Sequence, residues 1–249
     1  MTLTTLRKAG LSDLKLISRD SFLLLMAFVP VILGLLFRWL IPWVTVIAAP
    51  HFPELVLTDY YPLVLSALFI LLVPMLAGQV IGFLLLDERD DGVLTALLVT
   101  PRPLSHHLFY RIGLMMVMSI IQTVIAVVLT GLVAVSLTRL IVVAAVASLI
   151  APIIALYLMT FAENKVEGMA QLKMLSGLNG VVFVAYFVAE PWQYLFGLMP
   201  IYWPAKAFWQ IYYQPDSAVF WLYLLLGLLT LAGTLKLLLD RFYRKTYQL

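Results

Sequence analysis

The chain has 249 residues, of which 63% are hydrophobic and only 12% charged, against roughly 25% charged in an ordinary soluble domain. Its mean hydropathy of +1.03 excludes a water-soluble globular enzyme and marks an integral membrane protein. The net charge of +3 fits contact with anionic lipid rather than nucleic acid, because no basic stripe with interleaved aromatics stands clear of the apolar runs.

In chain order, Leu3, Leu6, Leu14 and Ile17 fall near helical spacing against Arg7, Lys8, Asp13, Lys15 and Arg19. This predicts an interfacial amphipathic helix over 1–20; an ordinary basic tail fits the same residues. A cleaved leader is not expected, because the segment before the first apolar run is long and itself amphipathic. A bilayer core of about 30 Å takes about 20 apolar residues per helix. About six such runs follow, at Phe22 to Ile47, Pro62 to Leu86, Leu108 to Leu137, Leu140 to Phe161, Met174 to Tyr194 and Ala218 to Leu239. They lack the alternation of a membrane barrel, so helices are expected throughout.

Of the 16 Lys and Arg, all but Arg38, Arg139 and Lys206 fall on one side of these spans. The positive-inside rule then puts both termini in the cytoplasm of a multi-pass protein of the cell (plasma or inner) membrane, as an even number of spans also requires. The connections are short, no internal repeat is visible, and a single transmembrane domain over 1–249 is expected. With no cysteine, there is no disulfide framework or cysteine-ligated metal.

Between the second and third spans lies Asp87 to Pro103, DERDDGVLTALLVTPRP. Acidic residues suit a helix N-terminus, Val93, Leu94, Leu97 and Leu98 supply an apolar face, and Pro101 and Pro103 end the segment. A short amphipathic helix across the cytoplasmic mouth and a merely solvated acidic loop both fit. The pattern Glu88, Gly92, Leu94, Leu97, Thr100, Pro101 resembles the coupling helix in the first cytoplasmic loop of type-2 ABC exporter permeases. Val93 and Thr95 depart from the Thr and Glu that many members carry there. The resemblance extends over the whole chain and implies an all-α fold with a cytoplasmic coupling helix over 87–103 and a re-entrant extracytoplasmic element over 190–216, before the last span. It also implies an ATP-binding subunit as partner, a second permease chain in a homodimer or heterodimer, and ATP and Mg held by the partner rather than by this chain.

The stretch Glu190 to Asp216 is dense in aromatics and broken by Pro191, Pro200, Pro204 and Pro215. Short helices dipping into the outer leaflet and an aromatic belt at the membrane interface both account for it. Polar residues inside spans, Gln79, Gln122, Ser176 and Asn179, are candidates for a pathway lining or for helix packing. Ser176, Asn179, Phe183 and Tyr186 recur at roughly helical spacing as one polar and aromatic face of the fifth span.

No catalytic constellation is present. The histidines, His51, His106 and His107, form no zinc motif, and neither a nucleophile elbow nor a phosphate-binding loop occurs. ATP hydrolysis is therefore expected on another polypeptide. The reading is a non-enzymatic permease subunit exporting a hydrophobic or amphipathic compound, a drug or lipid. Its rival, an ion-coupled transporter or channel without ATP, is disfavoured because the ionisable residues fall mostly at span ends.

Overall fold

The structure is a computed structural model and describes residues 21–93, 104–177 and 179–247. The expected helix over 1–20, and Leu94, Leu97, Thr100 and Pro101 of the expected coupling helix, lie outside the described residues. Every regular element among the described residues is helical, as backbone groups without access to water require. The elements are α1 (Ser21–Ala48), α2 (Tyr61–Leu65), a π-helical turn (Ser66–Leu71), α3 (Leu72–Asp90), α4 (Leu104–Thr130), α5 (Leu137–Ala147), α6 (Ile150–Phe161), α7 (Lys165–Ser176), α8 (Asn179–Phe187), α9 (Tyr202–Tyr213) and α10 (Val219–Tyr247), with 3₁₀ turns at Ala49–His51, Leu57–Tyr60 and Trp192–Leu198.

Among the described residues, 5 helical stretches are long and apolar enough to cross a membrane: Phe28–His51, Leu57–Asp90, Phe109–Thr130, Leu137–Phe161 and Val219–Arg244. They match five of the expected runs, with shifted ends. The third stops at Thr130 rather than Leu137 because Gly131 turns the chain with φ +62, the left-handed conformation that commonly ends a helix. The fourth is two helices that meet at Ser148 and Leu149, just before Pro152, which has no amide to continue the ladder. No single helix covers the expected fifth run. Its residues belong to α7, α8 and the 3₁₀ turn after the cis Glu190–Pro191 bond, with Gly177 and Gly180 at the α7–α8 junction.

The central contact is α3 against α6. A Cβ added at Gly78 would sit 2.5 Å from the carbonyl oxygen of Ala151, and one at Gly82 would sit 2.5 Å from Leu158 Cδ1 and 3.4 Å from Ala155 Cα. Gly78 and Gly82, four apart on α3, thus meet Ala151 and Ala155, four apart on α6. Small residues at this spacing let membrane helices approach closely enough to gain dispersion and weak hydrogen bonds, which substitute for the missing hydrophobic drive. Around this pair, α3 is buried almost throughout, α1 lies on α4, and α10 closes over α6 and α9.

The π turn is met by two long-range side-chain hydrogen bonds. Its extra residue displaces carbonyl groups from the helical ladder; Thr123 of α4 donates to the carbonyl of Phe69 at 3.4 Å, and Trp209 Nε1 of α9 donates to Ser66 Oγ at 2.8 Å. α9 buries Tyr202, Trp203, Phe208, Trp209 and Ile211. Pro200 and Ile201, at the turn before it, line one cavity with Met75, Ile154 and Leu231, which lie well inside the apolar stretches Leu57–Asp90, Leu137–Phe161 and Val219–Arg244.

Gly78→Ala is expected to destabilise the protein by about 1–3 kcal/mol, because the added methyl meets backbone that cannot rotate away. Gly82→Ala should cost less, since the obstructing atom is the end of a leucine side chain. Thermal unfolding of the two purified variants checks the order.

Candidate functional site

At the end of α3, three consecutive charged residues each reach a different element. Lys165 Nζ, at the start of α7, donates to Asp87 Oδ2 at 3.0 Å. Arg111 of α4 pairs with Glu88 at 2.6 Å, with side-chain exposures of 4% and 16%. Arg89 donates to the carbonyls of Met159, Ala162 and Glu163 at 3.4, 2.9 and 2.5 Å. These are the unpaired acceptors at the negative end of α6, where a guanidinium is favoured both as donor and as charge.

The α6–α7 corner is itself closed by side chains. Asn164 Oδ1, at the N-cap of α7, accepts from the Glu167 amide at 3.0 Å, and Glu167 Oε2 accepts from the amide of Glu163, one residue before the cap, at 2.8 Å, a variant of the capping box. Gln171 Nε2 donates to Glu167 Oε1 at 3.0 Å and to the Phe161 carbonyl at 3.1 Å.

This geometry corrects one expectation. Asp87, Glu88, Arg89 and Asp90 do not open a helix; they are the last turn of α3, where the dipole disfavours carboxylates and the basic partners Lys165 and Arg111 offset that cost. Gly92 stands in open space among the described residues, where a Cβ would meet nothing within 4 Å. Its φ of +72 and its amide bond to the Arg89 carbonyl at 3.1 Å make it the left-handed residue that stops α3.

The candidate lining residues divide. Gln79 is buried within α3. Ser176 is exposed, its hydroxyl donating back to the Leu172 carbonyl at 2.9 Å. Asn179 is half-buried, and its Oδ1 is buried with no hydrogen-bond partner among the described residues. Phe183 is exposed. Tyr186 is engaged: its hydroxyl donates to the Asp59 carbonyl at 2.7 Å and also contacts the Tyr213 hydroxyl, and its ring stands edge-on to Trp209 at 4.9 Å. Ser176, Asn179 and Phe183 thus share an open stretch of α7 and α8, whereas Tyr186 ties α8 to α9.

A further constellation was not among the sequence candidates. Lys206 of α9 is buried at 9% exposure. Its Nζ donates to Glu190 Oε1 at 2.6 Å and to Gln193 Oε1, and it lies 5.6 and 5.7 Å from the ring centres of Tyr194 and Tyr223. Tyr202 donates to the same Gln193 Oε1 at 3.2 Å, while Gln193 Nε2 donates to the Ala185 carbonyl at 2.7 Å. The hydrogen bond and charge of Lys206 hold the Glu190 carboxyl below its usual range. The only sequence signal was a lone lysine in an aromatic helix with a lone glutamate sixteen residues before it.

Taken together, the architecture is that of a multi-pass α-helical membrane protein whose helices are locked at one end by ion pairs and at the other by an aromatic-caged lysine. The chain belongs to the Rv2686c-like fluoroquinolone export permease family, whose model, described as "Fluoroquinolones export permease protein Rv2686c-like", matches residues 13–239. It is 34% identical over 247 residues to the fluoroquinolones export permease protein MT2760 of Mycobacterium tuberculosis strain CDC 1551 / Oshkosh, covering 95% of this chain and 93% of that protein. The fluoroquinolones export permease protein Rv2686c of strain ATCC 25618 / H37Rv matches with the same identity and coverage. No solved structure matches the chain. The chain is accordingly an export permease, a transport subunit rather than an enzyme, of the ABC exporter class.

Glu88→Ala should destabilise the protein by about 3–5 kcal/mol, because it removes the carboxylate facing a buried guanidinium. Asp91→Ala, on an exposed residue three positions further on, should stay within about 0.5 kcal/mol; unfolding of both in detergent checks this. The lowered Glu190 carboxyl gives a second expectation. Its stabilising contribution is fully present above its ordinary value of 4.5 and is lost as pH falls through the lower folded value. The melting temperature of wild type minus that of Glu190→Gln should therefore shrink on acidification.

Proposed function

We propose that this chain is one half of the membrane pore of a drug exporter, two copies or two related chains pairing with two ATP-binding subunits that hold ATP and Mg. Six crossings are completed by α7 and α8 acting as one broken span, with both termini and residues 87–107 in the cytoplasm of a cell-membrane protein. Residues 87–103 form the coupling element, the helix over 1–20 lies at the interface, and residues 190–216 form a re-entrant plug at the outer side. The substrate is an amphipathic, planar aromatic compound of the kind named for the relatives, the fluoroquinolones.

The observation that carries this reading is the clamp at the end of α3. A push delivered by a partner to residues 94–103 reaches Gly92 and the last turn of α3 directly. From there Glu88 hands it to α4 through Arg111, and Asp87 and Arg89 hand it to α6 and α7. A rigid connection to three helices is what a nucleotide-driven switch needs, provided that the partner binds the two conformations with different free energies. The open stretch around Asn179 and Phe183 is the candidate lining, and Leu94, Leu97, Thr100 and Pro101 are the candidate docking face, with Glu88 and Gly92 acting behind it.

Three measurements test the proposal. Because the chain has no cysteine, single cysteines at Asp91 and Glu54 should react with an impermeant thiol reagent from opposite sides of the membrane; labelling of both from outside refutes the topology. Leu94→Asp and Leu97→Asp should leave the thermal stability of the permease unchanged yet abolish copurification of the ATP-binding subunit and drug-stimulated ATPase activity. Retention of both activities refutes the coupling role. Asn179→Leu and Phe183→Ala should change drug stimulation while the complex still assembles.

A further inference from the structure

A cavity of about 430 Å³ lies between α6, α10 and the turn at Pro200 and Ile201, within the range of about 300–1,000 Å³ typical of small-ligand sites. Its α10 wall is a stripe of Leu231, Thr234, Leu238 and Arg241 at helical spacing; its opposite wall includes Ile154 and Tyr157 of α6. Leu231 is fully buried, but Leu237, also on the lining, is 68% exposed, so the cavity opens at the surface of the apolar span. The hydroxyl of Thr234 already donates to the Thr230 carbonyl at 2.8 Å and asks nothing of a ligand. The lining is almost wholly apolar, and Arg241 at its far end, with no carboxylate partner among the described residues, is its one cationic side chain.

The dimensions select the occupant. From Leu231 to Arg241 the helix rises by about 15 Å at 1.5 Å per residue, which is half of a hydrocarbon core of about 30 Å. The cavity thus runs the depth of one leaflet, apolar from the mid-membrane turn outward and cationic at headgroup level. We propose that it seats one acyl chain of an anionic phospholipid, whose phosphate is bound by Arg241. An arginine at this depth pairs readily with phosphate, and the buried chain gives the Pro200–Ile201 turn an apolar surface to rest on. The inference rests on α10 being a membrane span and is independent of which side its end faces.

The test uses the purified chain reconstituted in nanodiscs of equal phosphatidylglycerol and phosphatidylcholine, with tightly retained lipid quantified by mass spectrometry. Wild type should retain phosphatidylglycerol preferentially. Arg241→Gln should reduce that preference by about fivefold, whereas Arg244→Gln, on the same helix end but off the cavity, should not. Leu237→Trp, a change at the exposed mouth that leaves the core intact, should reduce retention of both lipids. Equal effects of the two arginine variants would show general surface attraction and overturn the site, as would unchanged retention in Leu237→Trp. Stoichiometric displacement of the lipid by a fluoroquinolone would make it a drug site and overturn the lipid assignment. Nanodiscs expose both faces and the readout needs no ATP turnover, so a reversed topology or a failed coupling role would leave these results unaltered.

Discussion

The close approach of α3 and α6 is the constraint on which the other contacts depend. Lipid is as apolar as leucine, so burying leucine against leucine gains little there, and helix pairing rests on fit. Gly78 and Gly82 against Ala151 and Ala155 bring two backbones together and thereby bring their ends together. Arg89 reaches the carbonyls of Met159, Ala162 and Glu163 only because α3 and α6 end side by side. The Asp87–Lys165 pair follows from the same convergence, since α7 begins where α6 stops.

The two ends of the bundle solve the problem of charge differently. At the α3 end, acidic and basic residues from three helices neutralise one another and cap free backbone groups of α6, so the burial of Arg111 is tolerated. At the other end, the single buried ammonium of Lys206 is shared among Glu190, Gln193 and the faces of two tyrosines. Ring quadrupoles and a half-exposed carboxylate supply what a fully buried partner would otherwise have to provide. The first arrangement links helices rigidly. The second joins the 3₁₀ turn, α9 and the start of α10 through side chains at the rim, where water can compete, and so is the weaker of the two joints.

Five of the six expected runs were legible because a span of twenty apolar residues leaves a signal that no tertiary contact reverses. The run Met174 to Tyr194 was not separable from its neighbours by hydropathy, because a break at two glycines changes backbone geometry without changing apolar content. The acidic residues after Leu86 were read as a helix start on dipole grounds. In the structure they end α3 instead, because Lys165 and Arg111, distant in sequence, reverse the local preference. The glycine pair at 78 and 82 carried its spacing openly, but spacing alone does not say which helix meets it.

The sequence by itself determined the membrane class, the helical content and the family-like motif from Glu88 to Pro101, since each depends on composition and short-range order. Tertiary structure alone decided that Glu88 belongs to a buried ion pair, that Gly92 is a helix stop and that Lys206 sits in an aromatic cage. Each of these rests on partners from 12 to 23 residues away or on a backbone angle. A hydropathy profile records what each residue prefers as a solvent, and it holds no record of which other residue will be there to meet it.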